Sequence, residues 1–227
     1  MRLSQDGPLV EVGRQGRCWS PFLVTPETLR RARESFAGNG FAVIGPPALS
    51  ESFFLTLREE ASRQRRLNSW QLRSGDGRSR VAEYNFRGHF GFRAGEFLSG
   101  GVPSALMLAV TEQPVAPSWT ASCFTYYDRE SSYLGRHCDK SEACFLTMII
   151  GLESRWQGSN PPSGNQLWIY ESVLAKLPKA KVTTLPNRIV ILDGKSLPHE
   201  RPAIGCGQLV NVLCACFKSA NDERVSD

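Results

Sequence analysis

From about residue 119 to 217 the chain is a succession of short β-prone segments. WTASCFTYY, FLTMIIGLE, NQLWIYE, KVTTL, NRIVILDG and GQLVNVLCACF are rich in β-branched and aromatic residues, and Gly, Pro, Asn and Ser separate them. Six or more such strands after two or more helices point to an α+β fold whose strands close into a sandwich or open barrel. The helices come first. Thr25-Pro26-Glu27 opens one, with a capping hydroxyl, a proline suited to the first turn and an acid that suits the dipole. Leu29, Ala32 and Phe36 share its inner face, and Gly38 or Gly40 ends it. FAVIG is a short buried strand. Ser50 is expected to cap a second helix, with Phe53, Phe54, Leu57 and Ala61 inward, and SALMLAVTEQ reads as a third.

Between them, residues 67–101 mix Gly, Arg and Asn with Trp70, Tyr84, Phe86, Phe90, Phe92 and Phe97. This stretch reads either as a binding loop or lid or as an irregular packed excursion. The whole reads as one domain over 1–227. Residues 1–22 form an arm, 23–118 a helical part with a substrate loop, 119–217 the barrel core and 218–227 a tail.

With 41% hydrophobic residues, 227 residues can bury a sizeable core, and a charged fraction of 22% without long like-charge runs argues against disorder. The net charge is only +5. Arg63, Arg65, Arg66, Arg73, Arg78 and Arg80 cluster locally, but no nucleic-acid motif accompanies them, so a solvated face or an anion pocket is expected and no nucleic-acid partner. The seven cysteines are odd in number and contain no CxxC pair. That predicts reduced, mostly buried thiols in a cytoplasmic protein, with Cys214 and Cys216 as small core residues, and neither a disulfide framework nor a zinc site. No apolar run approaches a membrane span. Oligomeric state is not legible.

The chemistry is concentrated in His137-Cys138-Asp139, answered by His199 after the segment NRIVILDG. In extended chain, residues two apart point to the same side, so His137 and Asp139 can reach one ion while Cys138 points away. Two imidazoles and a carboxylate form the facial set that suits non-haem Fe(II), leaving positions open for O2 and substrate. The competing reading is a pair of ordinary histidines, one salt-bridged to Asp139.

From Phe41 to Phe217 the chain resembles the Fe(II)/2-oxoglutarate-dependent dioxygenase superfamily. The resemblance lies in GFAVIGPPALSE, in TYYDRESSYLGRHCDK and in NRIVILDGKSLPHERPAI, in that order. It implies a double-stranded β-helix, a jelly-roll or cupin-like barrel with N-terminal helices packed on it. It implies Fe(II) on His137, Asp139 and His199, with 2-oxoglutarate and O2 as cosubstrates. Tyr127 and Tyr133 resemble tyrosines that hydrogen-bond the cosubstrate. Asp139 stands where related halogenases carry Gly or Ala, so hydroxylation or another two-electron oxidation of an unactivated C–H is implied instead.

The sequence departs from the family at one place. Many members carry Arg or Lys about ten residues after the last histidine, to bind the distal carboxylate of 2-oxoglutarate. Here GCGQLVNVL offers only Gln208 and Asn211. A dianion in a barrel needs a cation, because an unpaired buried carboxylate costs several kcal/mol at least, on the order of 3 or more. Arg201, Arg188 and Lys218 are the candidates, and Arg201 with Tyr127 is the expected pair. The alternatives are an iron oxidase on the same scaffold that does not use 2-oxoglutarate, or a non-catalytic ligand-binding barrel. A nucleic-acid repair dioxygenase has only the arginine cluster for support. For the substrate, Arg73, Arg80, Tyr84, Arg87, His89, Trp119 and Trp168 are candidate contacts, of which Arg73, Tyr84, Arg87, His89 and Trp168 are preferred. Cations beside aromatics suit a small amino acid-like molecule.

Overall fold

The computed structural model describes residues 11–13, 16–18, 21–74, 81–139 and 144–220. Two strands, β1 (Glu11–Gly13) and β2 (Gly16–Cys18), form a separate hairpin. Helix α1 (Pro26–Asn39) starts as the sequence predicts: Thr25 Oγ1 accepts from the Thr28 N–H at 3.1 Å. It stops at Gly40, whose φ of 74° lies in the left-handed region that glycine adopts without penalty. Strand β3 (Phe41–Ile44) and helix α2 (Glu51–Leu67) follow. Ser50 precedes α2, but its side chain makes no cap hydrogen bond.

The described residues of the stretch after α2 are regular: β4 (Ser69–Arg73) pairs antiparallel with β5 (Glu83–Gly88), and helices α3 (Phe92–Ser99) and α4 (Val102–Thr111) follow. The reading as an irregular excursion is thereby corrected for those residues. The reason is chemical. Strand β5 buries Glu83 and Asn85 on the face that would normally be apolar, so its alternation is inverted and looks like loop composition.

The remaining strands are β6 (Val115–Tyr127), β7 (Tyr133–His137), β8 (Leu146–Arg155), β9 (Gln166–Ile169), β10 (Ala180–Thr183), β11 (Ile189–Leu192), β12 (His199–Arg201) and β13 (Leu209–Ser219). They pair antiparallel in the order β10-β9-β12-β7-β5-β6-β13-β8-β11-β3, with β4 on β5. Strand β5 joins two walls: its start pairs with β7 and its end with β6. The sheet curls there, as a jelly roll requires.

Period-two alternation sorts the wall residues. Met148, Ile150 and Leu152 of β8, Ile189 and Ile191 of β11 and Leu213, Ala215 and Phe217 of β13 pack with the helices. Ile149, Val190, Leu192 and Val212 face the barrel interior with Leu167, Ile169 and Tyr127. Near the barrel's end, buried Asn187 holds the chain entering α2. Its Oδ1 accepts from the N–H groups of Ala48 and Leu49, and its Nδ2 donates to the Leu49 carbonyl at 2.9 Å. Asn187→Ala is expected to lower stability by about 3 kcal/mol in a urea titration, because buried backbone groups lose their partners. No helix among the described residues is long and apolar enough to cross a membrane.

One cysteine expectation is overturned. Cys144, just before β8, is disulfide-bonded to Cys216 of β13, whereas Cys123, Cys138, Cys206 and Cys214 are free. The two bonded residues are 72 apart in sequence, and only the fold brings them together. Cysteine counting reads local spacing and misses such a pair.

Candidate metal centre and its cavity

His137 ends β7 and His199 opens β12, and the pairing of these strands sets the two residues opposite one another. Each imidazole is oriented by its own backbone. Nδ1 of His137 lies 2.9 Å from the Gly135 carbonyl, and Nδ1 of His199 lies 3.0 Å from the Leu197 carbonyl. A ring that donates from Nδ1 leaves Nε2 as the lone-pair nitrogen, which is the tautomer a metal needs. Asp139 completes the set: its Oδ1 lies 3.5 Å from His137 Nε2 and 3.8 Å from His199 Nε2. The ligand atoms of the three residues lie within 4.8 Å of one another, and this is the metal-competent cluster found among the described residues.

The other side of Asp139 is fully used. Its N–H donates to the Gly194 carbonyl at 2.7 Å, and Oδ2 accepts from the Thr147 hydroxyl at 2.5 Å. Oδ1 is therefore the oxygen left for an ion. Burial opposes ionisation of Asp139, but His137, His199 and the Thr147 hydroxyl outweigh it and hold its pKa down to about 2. Burial also opposes a charge on His137, yet Asp139 and the Gly135 carbonyl raise its pKa. His199 goes the other way, lowered chiefly by burial despite Asp139. Gly194 has a steric role: a Cβ there would fall on Asp139 Oδ2. Gly194→Ala is expected to displace the carboxylate and weaken Co(II) binding at least about tenfold in a spectroscopic titration.

The three residues open on a cavity of about 100 Å³ inside the barrel, shared with Arg87, Tyr127, Thr147, Arg201, Cys214 and Cys216 among others. Two larger clefts, of about 550 and 820 Å³, contain none of the three.

Of Arg201, Arg188 and Lys218, only Arg201 lines this cavity. It is 2% exposed. Its guanidinium donates to the Gly164 carbonyl at 3.2 Å and to Thr184 Oγ1 at 2.9 Å, and it lies 5.0 Å from the Tyr127 ring centroid. No carboxylate among the described residues pairs with it. Burial accordingly pulls its pKa below the usual arginine value, with Tyr127 opposing. Burial also raises the Tyr127 phenol to about 12, so it keeps its proton. Gln208 turns to the Gly205 N–H and Asn211 to Glu153, while Arg188 bonds the Thr183 carbonyl.

The substrate candidates separate. Arg87 lines the cavity and pairs with buried Glu83 at 2.9 Å, while its Nε is buried without a partner among the described residues. Burial works against its charge, but surrounding groups, Glu83 among them, raise its pKa. Arg73 lies over the Tyr84 ring at 5.3 Å, and exposed His89 stacks on Trp70 at 4.5 Å. Trp168 faces Lys181 outside the barrel, because alternation along β9 sends Leu167 inward instead. Tyr133 has its hydroxyl 3.1 Å from Ser74 Oγ. None of Arg73, Tyr84, His89, Trp119, Trp168 or Tyr133 lines the cavity, and Arg80 lies outside the described residues. Thr147, Gly194 and Thr184 are site residues that sequence reasoning missed, since nothing local in FLTMII, DGKS or KVTT distinguishes them.

Proteins of known structure share this arrangement of strands. A prolyl hydroxylase from Trichoplax adhaerens, in complex with a hypoxia inducible factor oxygen degradation domain peptide, matches with a TM-score of 0.67 and 16% identity over 88% of this chain and 93% of its own. The fold is that of the Fe(II)/2-oxoglutarate oxygenases. The epimerase SnoN, in complex with Fe3+, alpha ketoglutarate and nogalamycin RO, matches with a TM-score of 0.64 and 12% identity over 86% of this chain and 85% of its own. HygX from Streptomyces hygroscopicus, with nickel, 2-oxoglutarate and hygromycin B bound, gives 0.59 and 13% over 87% and 88%. No family model and no curated protein matches the sequence.

Proposed function

We propose that this protein is a non-haem Fe(II)/2-oxoglutarate-dependent oxygenase that oxidises an unactivated C–H of a small, amino acid-like molecule. The observation that carries this reading is the coexistence, in one small cavity, of the His137–Asp139–His199 cluster and a buried arginine without a protein carboxylate. A buried guanidinium left unpaired costs several kcal/mol, on the order of 3 or more. A ligand carboxylate removes that cost.

The residues fit the groups. His137 and His199 offer Nε2 and Asp139 offers Oδ1, a donor set suited to Fe(II). Bound there, Fe(II) with 2-oxoglutarate and O2 supplies the oxidising chemistry, which is the cofactor's own. Arg201 would hold the distal carboxylate of 2-oxoglutarate by charge-assisted hydrogen bonds, with the protonated Tyr127 phenol as a second donor. Apolar Leu134, Ile149, Leu167 and Val212 keep water from this end. Arg87 keeps a free donor toward the cavity and would orient an anionic group of the substrate.

The test is succinate formation by anaerobically Fe(II)-loaded protein given 2-oxoglutarate and O2, with and without a pool of amino acids. Substrate-stimulated succinate supports the reading. Metal binding without any succinate would sink the 2-oxoglutarate assignment and favour an oxidase that does not use it.

A further inference from the structure

Asp139 is held through a chain of contacts that ends at a disulfide. Thr147 Oγ1 has one hydrogen, and it goes to Asp139 Oδ2. The same oxygen lies 3.1 Å from Cys144 Sγ. Cys144 is bonded to Cys216, which lies opposite Thr147 in the pairing of β8 with β13 and opposite Ser118 on β6. Cys216 itself is fixed: its N–H donates to Ser122 Oγ at 2.9 Å, and that hydroxyl donates to the Ser118 carbonyl. The disulfide thus ties the sulfur beside Thr147 to β13, which lies between β6 and β8.

We propose that the Cys144–Cys216 disulfide, acting through Thr147 as a positioning residue, holds the Asp139 carboxylate in its metal-binding orientation, so that metal affinity at this centre is set by the redox state of the pair. The inference rests on reading His137, Asp139 and His199 as a metal site.

The chemistry distinguishes the two states. A disulfide sulfur carries no hydrogen, so it donates nothing to Thr147 and only packs against it, and the hydroxyl stays committed to Asp139. Reduction gives Cys144 an S–H that competes for the Thr147 oxygen, and it cuts the tie to β13. The step takes two electrons and two protons. A dithiol reductant supplies both: its thiolate attacks Cys216, the sulfur on the cavity side, Cys144 leaves and is protonated, and the second thiol releases Cys216 and closes the reductant's own disulfide. Cys214, the free thiol two residues away, does not shuffle the bond, since burial pushes its pKa up and keeps it a thiol.

The experiment uses full-length metal-free protein and Co(II) as the probe, followed by its visible spectrum. One sample is left oxidised. A second is reduced with a water-soluble phosphine, which takes the oxygen of water as phosphine oxide and leaves two thiols, and is then desalted without air. Alkylation and mass spectrometry count the thiols in both. The expected result is a Kd for Co(II) about tenfold or more higher in the reduced sample, restored by glutathione disulfide. Thr147→Val should weaken Co(II) binding in the oxidised state, and Thr147→Ser should restore it. Circular dichroism confirms that each sample is folded. Equal Kd values in the two thiol states would overturn the inference while leaving the metal site intact, as would seven alkylated thiols in the unreduced sample. Absence of Co(II) binding in both states would overturn the metal-site reading and this inference with it.

Discussion

His137→Ala is expected to lower Fe(II) affinity more than about 100-fold and to abolish turnover. The bound is conservative, because loss of a residue that merely supports a ligand already costs 10–100-fold. Under the proposed reading His137 would be a direct donor. Its Nδ1 is engaged by the Gly135 carbonyl, so Nε2 is the nitrogen presented beside Asp139 Oδ1 and across from His199. Removing it leaves His199 and Asp139 as donors and the backbone pairing of β7 with β12 untouched, so circular dichroism should show a folded barrel while iron analysis after equilibrium dialysis shows no retained metal. His89→Ala is the control. That imidazole is exposed and stacked on Trp70 at 4.5 Å, away from the cavity, and its loss should leave iron content unchanged. Equal iron retention in wild type and His137→Ala would leave the cluster as an ordinary carboxylate between two histidines.

The contrast between these two histidines shows what could be read from the sequence. The His137/Asp139 spacing sits on extended chain, where period two puts both side chains on one side, and the strand RIVILDG delivers His199 to the facing position. Those arguments are local, and the fold brings the three side chains together, although β7 ends at His137 and Asp139 lies just beyond it. Arg201 was accessible to a different kind of reasoning, that a dianion needs a cation, and the structure buries it in the cavity. Residues whose role depends on distant pairing were not accessible. Thr147 reaches Asp139 because β8 lies beside β11, whose continuation at Gly194 holds the Asp139 N–H, and Cys144 meets Cys216 across 72 residues. Strand β5 was hidden for another reason. Its buried Glu83 and Asn85 invert the usual alternation, so a wall of the barrel looked like a loop. Aromatic content alone does not say which face of a strand a ring occupies, and Trp168 of β9 faces Lys181 rather than the cavity.

Arg201→Met should separate binding from stability. Truncating one partner of a buried charge pair costs about 2–5 kcal/mol, so the variant should bind 2-oxoglutarate on the order of 30- to 5,000-fold more weakly. Metal-free, cosubstrate-free protein should respond differently. There the guanidinium is 2% exposed and faces a carbonyl, a hydroxyl and an aromatic ring, without a carboxylate among the described residues. Its desolvation costs several kcal/mol, on the order of 3 or more, against about 3–6 for the two charge-assisted hydrogen bonds lost. A thioether of similar length fills the space without the desolvation cost, so the two changes offset and the melting temperature should stay near that of wild type. The rise in melting temperature that wild type gains on adding 2-oxoglutarate should vanish in the variant. Arg201→Lys keeps the charge but not the planar fork, and should fall between the two. Unfolding of Arg201→Met would mean that the barrel needs this cation for itself. Undiminished 2-oxoglutarate binding would move the carboxylate contact to Arg87, the other arginine in the cavity.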